Sequence, residues 1–203
     1  MNFKDAKLIF DYLYEKIDGY KISFEGRNKL SYYDQSLTYG EIFFDSFYEM
    51  LKKAQPKKGE VFYDLGSGTG KAVFVAHLLF SFSKVVGIEI LPELHQTSKK
   101  ILEKYEEEVR PKILEKNNQQ KIDFLLGDFL KTNFFDANIV FVSATCFSQK
   151  IIFQLENIFL SLKEGARIIM LTKRLAKTNF YLFDSLIYKQ GWGETTVNFY
   201  LKQ

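Results

Sequence analysis

The sequence predicts an α/β domain on a mixed seven-stranded sheet, parallel through five strands and closed by a C-terminal antiparallel hairpin, with helices on both faces. Three observations predict it. Short apolar runs alternate with amphipathic stretches through five successive units. A glycine-rich segment, Gly66 to Gly70, sits where the first strand meets its helix, and two β-rich segments flank Gly191-Trp192-Gly193 near the end.

The elements follow in order. Asp5 to Ile17 sets Leu8, Ile9, Tyr12, Leu13 and Ile17 on one helical face, and Gly19 with the polar stretch Glu25-Gly26-Arg27-Asn28 predicts a loop behind it. In Thr38-Tyr39-Gly40-Glu41 a glutamate stands three residues after a threonine, the pattern of a capping box, and predicts a helix to about Ala54. Glu60 to Leu65 reads as a buried strand, Ala72 to Phe82 as an apolar helix and Lys84 to Glu89 as the second strand. Pro92 suits the first turn of a charged helix reaching Val109, with Pro111 and an Asn117-Asn118-Gln119-Gln120 link after it. Lys121 to Leu126 and Asn138 to Ser143 are the third and fourth strands. Ser148 to Leu162 is a helix, Arg167 to Leu171 the fifth strand, and Phe180 to Tyr188 with Thr195 to Leu201 the hairpin. Residues 1–35 read as a helix and loop belonging to the same domain as residues 36–203, with no internal repeat.

Composition bounds the function. The chain has 203 residues, 46% hydrophobic and 26% charged, which excludes disorder and collagen-like repetition. A net charge of +3 is too mild for binding nucleic acid by charge alone, so no direct nucleic-acid partner is expected. With one cysteine, Cys146, the chain forms neither an internal disulfide nor a thiolate cage, which points to a reducing intracellular setting, cytoplasmic or nuclear. The apolar stretch after Met1 is broken at Asp11, Glu15 and Lys16, unlike a signal peptide, and no run has the length of a membrane span. No metal site is expected. His77 and His95 lack spaced partners, Cys146 has no basic neighbour, and Glu103 to Glu108 reads as a solvated helix face.

The glycine loop narrows the ligand. Open α/β sheets bind nucleotides at this junction, but the spacing here is Gly-x-Gly-x-Gly and Asp64 stands just before the first glycine. A carboxylate there repels a pyrophosphate and attracts a cation. A phosphate-binding Walker loop is disfavoured as well, since Ala72 follows Lys71 where a hydroxyl is needed. S-adenosylmethionine, which carries an ammonium and a sulfonium and no phosphate, fits the acid. Glu89, closing the second strand, is placed to accept both ribose hydroxyls, and Asp128 to accept from the adenine amino group with Phe129 against the ring.

At these residues the chain resembles the class I, Rossmann-like S-adenosylmethionine-dependent methyltransferases, and more narrowly the DOT-one-like (disruptor of telomeric silencing) protein-lysine methyltransferases. The matching segments are Leu37-Thr38-Tyr39-Gly40-Glu41, Phe62 to Lys71, Val86-Gly87-Ile88-Glu89, Leu126-Gly127-Asp128-Phe129-Leu130 and Ile139 to Val142, so the likeness runs over about residues 36 to 175. The resemblance implies that Tyr39 and Glu41 close over the methionine end of the cofactor, and that Asp64, Gly66, Gly68, Gly70, Lys71, Glu89, Asp128 and Phe129 hold the rest. It implies as partner a protein bearing an acceptor lysine, a histone or another basic protein. Where the family carries Asn-Asn-Phe-Ala-Phe, this chain reads Ser143-Ala144-Thr145-Cys146-Phe147, so Ser143 replaces the asparagine that frames the acceptor channel. The segment ahead of Thr38 is shorter than the family's N-terminal lobe, and no basic tail follows Gln203, which makes an acceptor outside the intact nucleosome the expectation.

Methyl transfer to an amine needs alignment and a dry channel that disfavours the ammonium form of the acceptor. Tyr39, Phe147, Trp192 and Phe199 are the expected aromatic wall, with core packing the competing reading for each. A nucleic-acid amino-methyltransferase would carry an Asn/Asp-Pro-Pro-aromatic stretch after the fourth strand, and Ser143 to Cys146 has no proline. The alternative kept is a methyltransferase acting on a small molecule.

Overall fold

The computed structural model describes residues 1–113 and 120–203; positions 117–119 of the expected polar link lie outside the described residues. One sheet organises them, in the order β3-β2-β1-β4-β5-β7-β6. Strands β1 (Val61–Leu65), β2 (Lys84–Glu89), β3 (Lys121–Leu126), β4 (Ile139–Val142) and β5 (Arg167–Leu171) run parallel, and β6 (Phe180–Gln190) and β7 (Gly193–Lys202) form the antiparallel hairpin. The hairpin folds back so that β7 pairs with β5 and β6 becomes an edge. Strand β1 therefore lies between β2 and β4, and the direction of chain progression reverses beside it, where open sheets leave a crevice at their carboxyl ends.

Alternation along the strands divides the core in two. Phe62, Val85, Ile139, Phe141, Ile169 and Phe199 face one layer, and Tyr63, Leu65, Val86, Val140, Ile168 and Tyr200 the other. Helices α1 (Phe3–Tyr14), α3 (Phe44–Lys53), α4 (Lys71–Leu79) and α5 (Pro92–Lys104) contribute to the first layer, and α6 (Gln149–Phe159) to the second.

Three local expectations are corrected. Helix α1 starts at Phe3 on an Asn2 cap and buries Ala6, Phe10, Leu13 and Tyr14, while Leu8 and Tyr12 face outward, so its apolar face is rotated from the expected one. The expected loop after Gly19 is helix α2 (Gly19–Asn28), capped by Asp18 and burying Gly19, Ser23 and Gly26. Its small face allows close approach to α5: a Cβ on Gly26 would stand 2.7 Å from the Glu93 carboxylate. Helix α3 begins at Phe44 rather than at the Thr38 box, because Glu41 is drawn to other partners and leaves residues 38–43 outside any helix. The charged helix passes after Lys104 into a wide turn over Tyr105–Val109 and a tight one over Arg110–Lys112. Among the described residues no helix is long and apolar enough to cross a membrane.

Candidate active site

The site is built on the carboxyl ends of β1, β2, β3 and β4. Gly66, Gly68 and Gly70 all take positive φ, at +86°, +55° and +86°, so the loop leaves β1 by a path that side-chain-bearing residues resist. Gly70 is also a packing requirement, since a Cβ there would lie 2.6 Å from the Phe124 ring. Gly66 faces open space in the crevice.

Two carboxyl groups are buried beside this loop. The Glu89 Oε2 accepts from the Gly68 N–H at 2.7 Å and Oε1 from the Leu91 N–H at 2.8 Å, so the side chain fixes the loop as well as facing the crevice. Burial pushes its carboxyl pKa up, opposed by those amide bonds. Each oxygen retains a lone pair for a further donor. Asp64 is 3% exposed and has no hydrogen-bond donor among the described residues. Burial, then the charge of Glu89, raises its pKa well above the carboxylate range. A buried, unpartnered carboxyl group at a strand tip is costly unless a cation meets it, and the ammonium of S-adenosylmethionine is such a cation. The residues present fit that cofactor.

Tyr39, Gly40 and Glu41 lie across the loop. The Tyr39 hydroxyl donates to Glu41 Oε1 at 3.0 Å and lies 3.1 Å from Thr69 Oγ1, while its ring covers Gly68, where a Cβ would stand 2.5 Å away. Glu41 Oε2 accepts from Lys71 Nζ at 2.6 Å, both side chains largely buried. Burial, then the charge of Glu41, raises the Tyr39 pKa well above the phenol range. From the opposite side the Gly191 N–H donates to the Glu41 carbonyl at 2.9 Å, and the Trp192 ring packs on Gly40, leaving 2.5 Å for a Cβ. The segment is clamped between the glycine loop and the hairpin turn.

It divides the crevice into two spaces. A cleft of about 420 Å³ runs along the strand tips past Glu89, Asp128, Phe129, Ser143 and Phe147. A cavity of about 30 Å³ lies over Asp64, Gly68 and Lys71. Tyr39, Gly40, Gly66 and Ser143 line both. Asp128 Oδ1 accepts from the Leu130 N–H at 2.9 Å, and Phe129 stacks on Phe147 at 5.6 Å.

The expected site residues separate accordingly. Tyr39, Asp64, Gly66, Glu89, Asp128, Phe129, Ser143 and Phe147 converge on the crevice. Lys71 reaches Glu41 and lines only the small cavity. Phe147 lies at the Phe129 end of the cleft, and Trp192 holds Gly40 from behind. Phe199 is corrected: it is fully buried in the core against Phe183 and Tyr188, because its place on β7 turns it inward with Val197. Residues that sequence reasoning passed over include Thr69, which meets Tyr39, and Tyr14, whose hydroxyl donates to the Thr69 carbonyl at 3.1 Å. Tyr32, Asp34 and Ser36 form a cleft wall too, and no sequence pattern marked them.

Comparison with known proteins accords with this geometry. The chain is 28% identical over 153 residues to the Drosophila melanogaster histone-lysine N-methyltransferase specific for H3 lysine 79, a match covering 72% of this chain and 8% of that protein. The chain thus spans a small part of that relative's length. Solved structures share the fold: an RNA methyltransferase from Salinibacter ruber in complex with S-adenosyl-L-homocysteine (TM-score 0.60, 20% identity, covering 78% of this chain and 92% of that one), and TrmN from Thermus thermophilus (TM-score 0.60, 19% identity, covering 77% and 48%). The model of the family described as histone methylation protein DOT1 matches residues 20–187. With that match over most of its length, and an acid-flanked glycine loop beneath a Tyr-Gly-Glu strap, the chain belongs to the DOT1 histone methylation protein family of class I S-adenosylmethionine-dependent methyltransferases.

Proposed function

We propose that the chain methylates the side-chain amine of a lysine in a protein, a histone or another basic protein. The observation that carries this reading is the division of the crevice: Tyr39, Gly40 and Ser143 stand at the junction between the cleft and the cavity over Asp64. That junction is where an acceptor nitrogen must meet the reactive end of the cofactor. When bound, S-adenosylmethionine supplies an electrophilic methyl group for in-line displacement by a neutral amine. Asp64 offers a carboxylate to the ammonium end, Glu89 accepts hydroxyl donors further along the cleft, and Phe129 with Phe147 forms an apolar floor. Tyr39 covers the junction, with Trp192 packed behind Gly40, and exclusion of water there favours the neutral form of an acceptor lysine. Catalysis then rests on alignment and dryness more than on an added base.

The test is methylation by radiolabelled cofactor of free histones, nucleosomes, a lysate protein pool and the small-molecule fraction side by side, with mass spectrometry of the modified residue. Label on protein lysines is the expected result. Label confined to metabolites refutes it and establishes a small-molecule acceptor.

A further inference from the structure

Thr172, the residue after β5, has φ +65°, a conformation that β-branched side chains adopt only under constraint. The constraint is visible. The Thr172 N–H donates to the Thr196 carbonyl at 2.7 Å, and the Lys173 N–H closes a γ-turn on the Leu171 carbonyl at 2.7 Å. Asn198 on β7, fully buried, holds the turn from beneath: its Nδ2 donates to the Lys173 carbonyl at 2.9 Å, and its Oδ1 accepts from Ser185 Oγ at 2.9 Å. A glycine would satisfy this backbone without strain. What a glycine would lose is the hydroxyl, which the turn places 2.9 Å from Thr145 Oγ1.

Thr145 and Cys146 are the central residues of a tight turn closed by the Phe147 N–H on the Ala144 carbonyl at 3.0 Å. That turn joins Ser143, at the junction of the two cavities, to Phe147 in the cleft floor. With Lys173 and residues 34–36 it lines a further cavity of about 180 Å³ beside the cleft. We propose that Thr172 is a positioning residue: braced by Asn198, its hydroxyl holds the Thr145 turn, and so sets Ser143 and the acceptor side of the cleft without touching the cofactor. The inference rests on the reading of that junction as the place of methyl transfer.

Cys146, the chain's one cysteine, reports on the turn directly. The experiment measures maleimide labelling of Cys146, cofactor affinity by calorimetry, melting temperature, and KM and kcat on free histones, in Thr172→Gly, Thr172→Ser and Thr145→Val. Losing the hydroxyl bond should speed labelling roughly three- to tenfold in Thr172→Gly and Thr145→Val. Combining the two should add nothing further. Thr172→Ser should retain the wild-type rate, cofactor affinity should stay within about twofold throughout, and KM for the acceptor should rise in step with labelling. A merely structural threonine predicts that Thr172→Gly is neutral or more stable with unchanged labelling, and that result overturns the proposal, as does faster labelling with unaltered KM. If Thr172→Gly does not fold, Thr145→Val puts the same question from the other hydroxyl. If wild-type chain leaves histones unlabelled, the acceptor reading fails, and the labelling of Cys146 still decides whether Thr172 holds the turn.

Discussion

At Asp64 the requirements of folding and of binding oppose each other. Because its pKa is raised in the folded chain, the acid form persists there to higher pH than in the unfolded chain. The resulting cost to stability is absent below the ordinary carboxylate range and develops as pH rises through it. Asp64→Asn should therefore raise the melting temperature of the ligand-free chain at neutral pH, with each ~1 kcal/mol worth about 2–4 °C at this size, while weakening cofactor binding. Thermal melts paired with calorimetry decide it, and a lower melting temperature would contradict the burial argument. Glu89 behaves otherwise because it anchors the Gly68 and Leu91 amides. Glu89→Ala should weaken cofactor binding by roughly 30- to 150-fold and lower the melting temperature as well. His77 gives a third residue-scale expectation. Burial, then the charge of Arg110, lowers its pKa to about 3, and Nε2 lies 2.6 Å from the Tyr105 hydroxyl. The unfolded chain takes up that proton near pH 6.5, so this contribution to stability is intact above about pH 6.5 and is lost progressively toward pH 3. His77→Gln should flatten that part of the curve relative to wild type in urea melts across pH.

Among the elements, the Tyr39-Gly40-Glu41 strap lies across the glycine loop and over the cavity at Asp64. The cavity beneath it, about 30 Å³, is small beside the neighbouring cleft, and we propose that the strap lifts to admit the methionine end. Tyr39→Ala should open that space, speeding cofactor association while lowering turnover, with the loss of turnover exceeding any loss of melting temperature. Stopped-flow binding beside steady-state rates reads both, and a strap with only a structural role would show the reverse order. The strap also shows where sequence stopped being sufficient. Strands β1, β2, β4 and β5 were legible because they are buried on both faces and read as continuous apolar runs. The capping box at Thr38 was misleading because its glutamate has stronger partners in Lys71 and Tyr39, which lie beyond any local window. Helix α2 was hidden because two glycines and a polar surface give no periodic signal, and its stability comes from the Asp18 cap and contact with α5.

For the whole molecule, the acids and glycines of the site were legible because the strand order places three strand ends beside one crevice, and that order follows from the handedness of strand-helix-strand units. The aromatic wall was less so, since with 21 phenylalanines the composition does not separate core from channel, and only the pairing of β7 with β5 turns Phe199 inward. Charge, by contrast, belongs to the molecule as a whole and bears directly on the acceptor. With 28 lysines and arginines against 25 acids, the chain carries little net attraction for DNA phosphates. Several of its cations are already paired, among them Lys29 with Glu93, Lys84 with Asp136 and Arg167 with Glu60. Each phosphate contact contributes a slope of about −0.9 to the dependence of log affinity on log salt, so a grip of several contacts fails steeply between low and physiological ionic strength. This chain should bind nucleosomes only at low salt and with a shallow slope, and should methylate free histones in preference to nucleosomes as salt approaches 150 mM, roughly the physiological value. Titrating salt in parallel binding and methylation assays checks it: robust activity on nucleosomes by this chain at physiological salt would show that a local surface, not net charge, provides the grip.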